Sequence, residues 1–274
     1  MKSTRAAVVQ MTAAPFDLAG NAAVIERYLR RAAADGARLV VLPELCVTGY
    51  TVAPELADIS DPIPGPTGDR LAGLAAALDL TVVTAIATRG ADGLLRDTGV
   101  VVTPDGIAAA GAKRCLWGPE PGIFAPGAPH ERIVADTPVG RVGVAICYEA
   151  GFPEVVRQLA LDGAEIIAVP AAFGRARLHA WTLMTRSRAL ENGCYLLAAN
   201  AAGPCGGFDF GGHSTIVDPH GGRRALLADG PGTLVAELDA AQLDAARTAI
   251  PYLRDLSACA PTALATTPGS EYRS

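Results

Sequence analysis

Val142-Gly143-Val144-Ala145-Ile146-Cys147-Tyr148-Glu149-Ala150-Gly151-Phe152-Pro153-Glu154 is an apolar run that stops on a thiol and passes directly into a helical pattern. A thiol at such a junction lies beside free main-chain N–H groups and the positive end of a helix dipole. That arrangement is expected to lower its pKa and make it a nucleophile. A cysteine closing a buried strand is more commonly a small core residue, so its meaning depends on what else surfaces nearby.

Two further apolar runs end on charge. Leu39-Val40-Val41-Leu42-Pro43 delivers Glu44, and Ala108-Ala109-Ala110-Gly111-Ala112 delivers Lys113. Either residue alone reads as a solvated loop position. Together with Cys147 they supply a carboxylate to take a proton, a thiol to attack, and a cation to stabilise charge on the attacked oxygen.

Outward from these ends, the chain alternates strand and helix patterns. Strands are expected at 5–10, 39–42, 81–87, 142–146, 166–169 and 194–199, with helices at 21–34, 71–78, 153–161 and 178–191. Hairpin signals interrupt the alternation: Pro104-Asp105-Gly106 joins strands 99–102 and 108–112, and Asp218-Pro219-His220-Gly221-Gly222 joins 214–217 and 225–227. A last strand is expected at 233–238. Mixed parallel and hairpin connections argue for an α/β protein in which two sheets pack face to face inside helices.

Composition narrows the function. The chain has 274 residues, half of them apolar, enough for one large domain. Its 28 acidic and 23 basic residues show no basic cluster, so neither nucleic acid nor an anionic membrane is an expected partner. Met1-Lys2-Ser3-Thr4-Arg5 runs straight into Ala6-Ala7-Val8-Val9, too short for a signal peptide, and no apolar stretch is long enough to span a bilayer. A cytoplasmic location is expected. The cysteines at 46, 115, 147, 194, 205 and 259 form no C-x-x-C pair, and His179, His213 and His220 lack ligand spacing, so reduced thiols and no metal are expected. No G-x-G-x-x-G follows the first strand, where Gln10-Met11-Thr12-Ala13-Ala14-Pro15 stands, which excludes a Rossmann-type nucleotide enzyme.

Leu42-Pro43-Glu44-Leu45-Cys46-Val47-Thr48-Gly49-Tyr50, Lys113-Arg114-Cys115-Leu116 and Ile146-Cys147-Tyr148-Glu149 resemble, in order and in placement, the three signature blocks of the nitrilase superfamily of carbon–nitrogen hydrolases. Similarity continues through Glu120, Phe124 and Gly127, through Pro170-Ala171-Ala172-Phe173, through Trp181 with Arg186, Arg188, Ala189, Glu191 and Asn192, and through the segment 212–219. It covers residues 4–240. The resemblance implies a single-domain, nitrilase-like α/β fold, a four-layer α-β-β-α sandwich of two mixed sheets over residues 1–257. Residues 258–274 would form a C-terminal tail, mobile or packed on a partner subunit. It further implies Glu44 as general base, Cys147 as the nucleophile forming a thioester, and Lys113 as the cation that binds the tetrahedral intermediate, with no cofactor. Glu120 would hold the substrate nitrogen or Lys113, and the main-chain N–H of Tyr148 would complete an oxyanion hole.

Within that resemblance, Tyr148 after the nucleophile is similar to amidase-like branches, whereas true nitrilases typically carry Trp. A small amide is therefore the expected substrate. N-carbamoyl amino acids and nitriles are alternatives for the same three residues, and a non-catalytic binding scaffold is a third reading. The usual arginine before the Phe-Pro-Glu element is absent, since Ala150-Gly151 precede Phe152. Arg175 and Arg177, following Phe173, are candidate replacements, and Trp117, Phe124, Phe173 and Trp181 are candidate pocket walls. A homodimer or higher homo-oligomer is expected, with the helices of 152–161 and 178–192 at the contact.

Overall fold

Along β1 (Thr4–Gln10), Ala6 and Val8 enter one core while Ala7 and Val9 enter another, the period of two that a strand imposes when both faces are buried. In the computed structural model, which describes residues 1–259, this double burial organises both halves of the chain. The first half continues through α1 (Leu18–Ala34), β2 (Leu39–Glu44), α2 (Leu56–Ile59), α3 (Pro66–Leu78), β3 (Thr81–Arg89), β4 (Leu95–Thr103) and β5 (Gly106–Ala112). The second runs through β6 (Ile133–Thr137), β7 (Gly140–Val144), α4 (Pro153–Leu161), β8 (Ile166–Ala171), α5 (Leu178–Asn192) and β9 (Tyr195–Asn200). It continues with β10 (Ala202–Cys205), β11 (Phe208–Gly211), β12 (Thr215–Val217) and β13 (Arg223–Leu226). Then β14 (Gly232–Leu238) returns to the first sheet, and α6 (Ala240–Ala249) and α7 (Tyr252–Cys259) follow.

Two mixed six-stranded sheets result, in the orders β14-β1-β2-β3-β4-β5 and β13-β12-β9-β8-β7-β6. In each, the central strands are parallel and the outer ones antiparallel: β1, β2 and β3 in the first, β7, β8 and β9 in the second. Val41, Val83 and Val101 of the first sheet share a core with Val144, Ile167 and Leu197 of the second. On the outside, Ile25 and Leu29 of α1 and Leu71 of α3 cover Val40, Leu42 and Val82. Val155, Leu159 and Ala189 of α4 and α5 cover the other sheet. This is the expected four-layer α-β-β-α sandwich.

Local chemistry sets the boundaries. Asp17 caps α1 by accepting the Gly20 N–H at 2.9 Å, so the helix starts at Leu18, three residues before the expected start. α2, β6, β10, β11, α6 and α7 add to the expected elements. α7 reaches Cys259, and the rest of the tail expected over 258–274 lies outside the described residues.

Leu29 is fully buried, so Leu29→Ala should lower the unfolding free energy by about 2–5 kcal/mol. Leu94→Ala, at the exposed tip between β3 and β4, should change it by less than about 0.5 kcal/mol. Chemical denaturation of both variants checks the contrast.

Candidate active site

The C-terminal ends of β2, β5 and β8 come together, and the chemistry gathers there. Glu44 is the last residue of β2, Lys113 follows β5, and Cys147 lies three residues past β7. The thiol does not sit at the start of the helix, because a 3-10 turn over Cys147–Gly151 separates β7 from α4. Cys147 holds φ at +48°, in the left-handed region that costs a non-glycine residue about 1–3 kcal/mol and persists only where its surroundings impose it. Buried Glu149 supplies that constraint: its carboxylate accepts the Ile146 N–H at 2.9 Å and the Arg114 N–H at 2.8 Å, tying the thiol's turn to the residue after Lys113. From α5, Arg188 donates to the carbonyls of Ala150 and Gly151 at 2.9 and 3.1 Å.

Lys113 is fully buried among carboxylates. Its Nζ donates to Glu44 Oε1 at 2.6 Å and to Glu120 Oε1 at 2.8 Å, and lies 3.4 Å from Asp97 Oδ2. Burial alone would lower its pKa, but the charges of Glu44 and Asp97 outweigh burial and hold the ammonium well above its ordinary range. The other carboxylate oxygens are also engaged: Glu44 Oε2 accepts the Ala172 N–H at 2.8 Å, and Glu120 Oε2 accepts the Trp117 N–H at 2.7 Å. The Tyr50 hydroxyl donates to Glu120 Oε1 at 2.6 Å. Burial, then the Glu44 charge, pushes Glu120 up.

The same two causes, in the same order, push the Cys147 thiol well above its ordinary value, with Lys113 opposing them. The lowered thiol pKa expected from the sequence is corrected accordingly. The helix begins only at Pro153, while the thiol is 5% exposed and faces a buried carboxylate.

Asp97, near the start of β4, is the residue of this cluster that sequence reasoning missed. Its main-chain carbonyl accepts the Lys113 N–H at 2.8 Å, yet neither side-chain oxygen has a hydrogen-bond partner among the described residues. Burial, then Glu44, raises its carboxyl well above the usual range. Glu44, Asp97 and Glu120 bring oxygens within 4.8 Å of one another, a spacing that suits a cation. The Lys113 ammonium already stands among them.

A model of the family described as carbon-nitrogen hydrolase matches residues 5–248. The chain belongs to that family. An (R)-stereoselective amidase of a Pseudomonas species is 35% identical over 225 residues, covering 79% of this chain and 78% of the relative. A nitrilase of Pyrococcus abyssi is 36% identical over 218 residues, covering 78% and 81%. A solved mutant of the amidase from Nesterenkonia sp. AN1, showing covalent addition of the acetamide moiety of fluoroacetamide at the active-site cysteine, superimposes with a TM-score of 0.82. It shares 29% identity and covers 93% of this chain and 94% of its own.

Around the hydrolase's charged cluster, the other candidate residues divide. Trp117 is half-buried and meets Phe208 edge-on at 5.9 Å. Phe173 is buried, its N–H donating to Asn200 Oδ1 at 2.6 Å. Tyr148 is 38% exposed and packs edge-on against Phe152. Trp181 occupies a core position rather than a pocket wall, donating Nε1–H to the His213 carbonyl at 2.8 Å beneath Phe173. Phe124 is likewise core, in the cluster of Leu45, Tyr50 and Phe210. Arg175 is matched on the surface by Asp209 and Asp229, at 3.0 and 2.7 Å. Gly127 belongs to the frame: its N–H donates to the Lys113 carbonyl, and a Cβ there would collide with the Ala112 carbonyl oxygen.

Asp97 gives a signed pH prediction. An unfolded Asp loses its proton near pH 4, while the folded one retains it to higher pH. Rising pH therefore favours the unfolded state through this residue. Asp97→Asn removes that effect, so the variant's stability relative to wild type should rise from pH 4 to pH 7, by up to about 1.4 kcal/mol per pH unit. Melts at both pH values check it. An unchanged difference would mean that Asp97 is ionised in the fold.

Proposed function

We propose that the protein hydrolyses a small carboxamide to a carboxylic acid and ammonia through a cysteine thioester. The observation that carries this reading is the Lys113 ammonium bridging Glu44 and Glu120 beside a thiol held on a strained turn. Glu44 takes the Sγ proton as sulfur bonds to the amide carbon, which offsets the thiol's high pKa by making deprotonation part of the attack. The carbonyl electrons move to oxygen, where Lys113 Nζ and the main-chain N–H of Tyr148 stabilise the anion. Collapse breaks the carbon–nitrogen bond, and the proton held by Glu44 leaves with ammonia. Water then attacks the thioester, giving its proton to Glu44, and the acid departs as sulfur regains a proton. Glu120 fixes Lys113 in place.

A nitrile or an N-carbamoyl group would use the same three residues. The Pyrococcus relative keeps the nitrile reading open, and the two amidase relatives favour the amide. We place the protein in the cytoplasm as a homodimer: five cysteines are free among the described residues, and Leu161 of α4 and Leu183 and Leu190 of the adjoining α5 are exposed. No helix among the described residues is long and apolar enough to cross a membrane.

Ammonia release across amides, N-carbamoyl amino acids and nitriles tests the reading. Amides should be turned over, and Cys147→Ala and Glu44→Gln should each reduce kcat by about a thousandfold or more. Turnover confined to nitriles or carbamoyl compounds, or surviving in Cys147→Ala, would overturn it.

A further inference from the structure

Nearly every cation around the site is answered by a carboxylate. Lys113 bridges Glu44 and Glu120, Arg114 faces Glu149 at 3.6 Å, Arg175 holds Asp209 and Asp229, and Arg188 pairs with Glu191 at 3.0 Å. Arg177 is different. Its guanidinium makes no hydrogen bond or ion pair with any described residue. It lies instead over two aromatic rings, 4.3 Å from the centroid of Trp117 and 5.1 Å from that of Phe173.

Those rings belong to the residues that frame the charged cluster. The Trp117 main chain holds Glu120 Oε2. Phe173 follows Ala172, whose N–H holds Glu44 Oε2, and Asn200 grips both the N–H and the carbonyl of Phe173 at 2.6 and 3.2 Å. The Arg177 cation is thus fixed above the two segments that position the carboxylates flanking Lys113. Stacking engages the face of a guanidinium and leaves its in-plane fork of donors free, the geometry that receives a carboxylate by two parallel bonds. The nearby acids do not compete, because Asp209 and Asp229 are both drawn to Arg175.

We propose that Arg177 binds a carboxylate on the acyl part of the substrate, so that the preferred substrates are monoamides of dicarboxylic acids rather than uncharged amides. This rests on the amide reading above. The carboxylate takes no part in bond making; it seats the acyl chain with its amide carbon at Cys147.

Matched pairs test it: succinamate against butyramide and glutaramate against valeramide, with wild type, Arg177→Gln and Arg177→Lys. Wild type should prefer the anionic member. Arg177→Gln should lower its kcat/KM by about tenfold or more relative to the neutral member, mainly through KM, and Arg177→Lys should restore part of the loss. Equal losses for both members would reduce Arg177 to a support for Trp117 and Phe173 and overturn the proposal. So would an absence of preference in wild type. If wild type turns over no amide, the amide reading itself has failed. Calorimetry with glutarate then still judges the anion site: binding to Cys147→Ala that disappears in Cys147→Ala/Arg177→Gln upholds it, and equal or absent binding in both rejects it.

Discussion

Lys113 carries an ammonium group into a fully buried position, where an unpaired charge costs several kcal/mol even after the surroundings relax. Its partners come from separate parts of the chain: Glu44 from the end of β2, Asp97 from near the start of β4, and Glu120 from the loop after β5. Lys113 is the member that cannot be spared, since its loss would leave buried carboxylates uncompensated, at a cost of about 3–5 kcal/mol. One ammonium against three carboxylates leaves an excess of negative charge. The fold relieves it by raising the Asp97 carboxyl well above the usual range and by aiming the Tyr50 hydroxyl and the N–H groups of Trp117 and Ala172 at oxygens of Glu120 and Glu44.

That cluster also fixes the state of the Cys147 thiol. Cys147 feels burial and Glu44 more strongly than Lys113, so the thiol keeps its proton until a substrate arrives. A neutral thiol beside an ionised carboxylate is the starting point for general-base attack, whereas a thiolate–ammonium pair would need no base. The strained φ at Cys147 is held by Glu149 and Arg188, which reach the turn from within it and from α5. Both sheets and one outer helix layer therefore converge on a single thiol.

Much of this was legible from residues alone. Apolar runs that end on Glu44, Lys113 and Cys147 marked the strand ends because buried strands have few ways to finish on charge. Asp97 was not legible: Arg96-Asp97-Thr98 reads as a polar, exposed stretch, and only the tertiary placement beside Lys113, Glu44 and Glu120 shows that it is buried. The thiol's pKa was misjudged for a related reason, because a dipole argument uses local sequence while desolvation depends on the opposing sheet. Trp181 and Arg175 show the same limit. Their residue types suited a pocket, but His213 claims the Trp181 N–H, and Asp209 and Asp229 claim the arginine.

Burial, and then the Glu44 charge, hold Cys147 as a neutral thiol. Ultraviolet thiolate absorbance across pH, taken as the difference between the protein and its Cys147→Ala variant and repeated in a Glu44→Gln background, tests it most directly. No Cys147 thiolate is expected at neutral pH, and the titration should shift downward when Glu44 loses its charge. Thiolate absorbance at neutral pH, or a titration indifferent to Glu44→Gln, would contradict it.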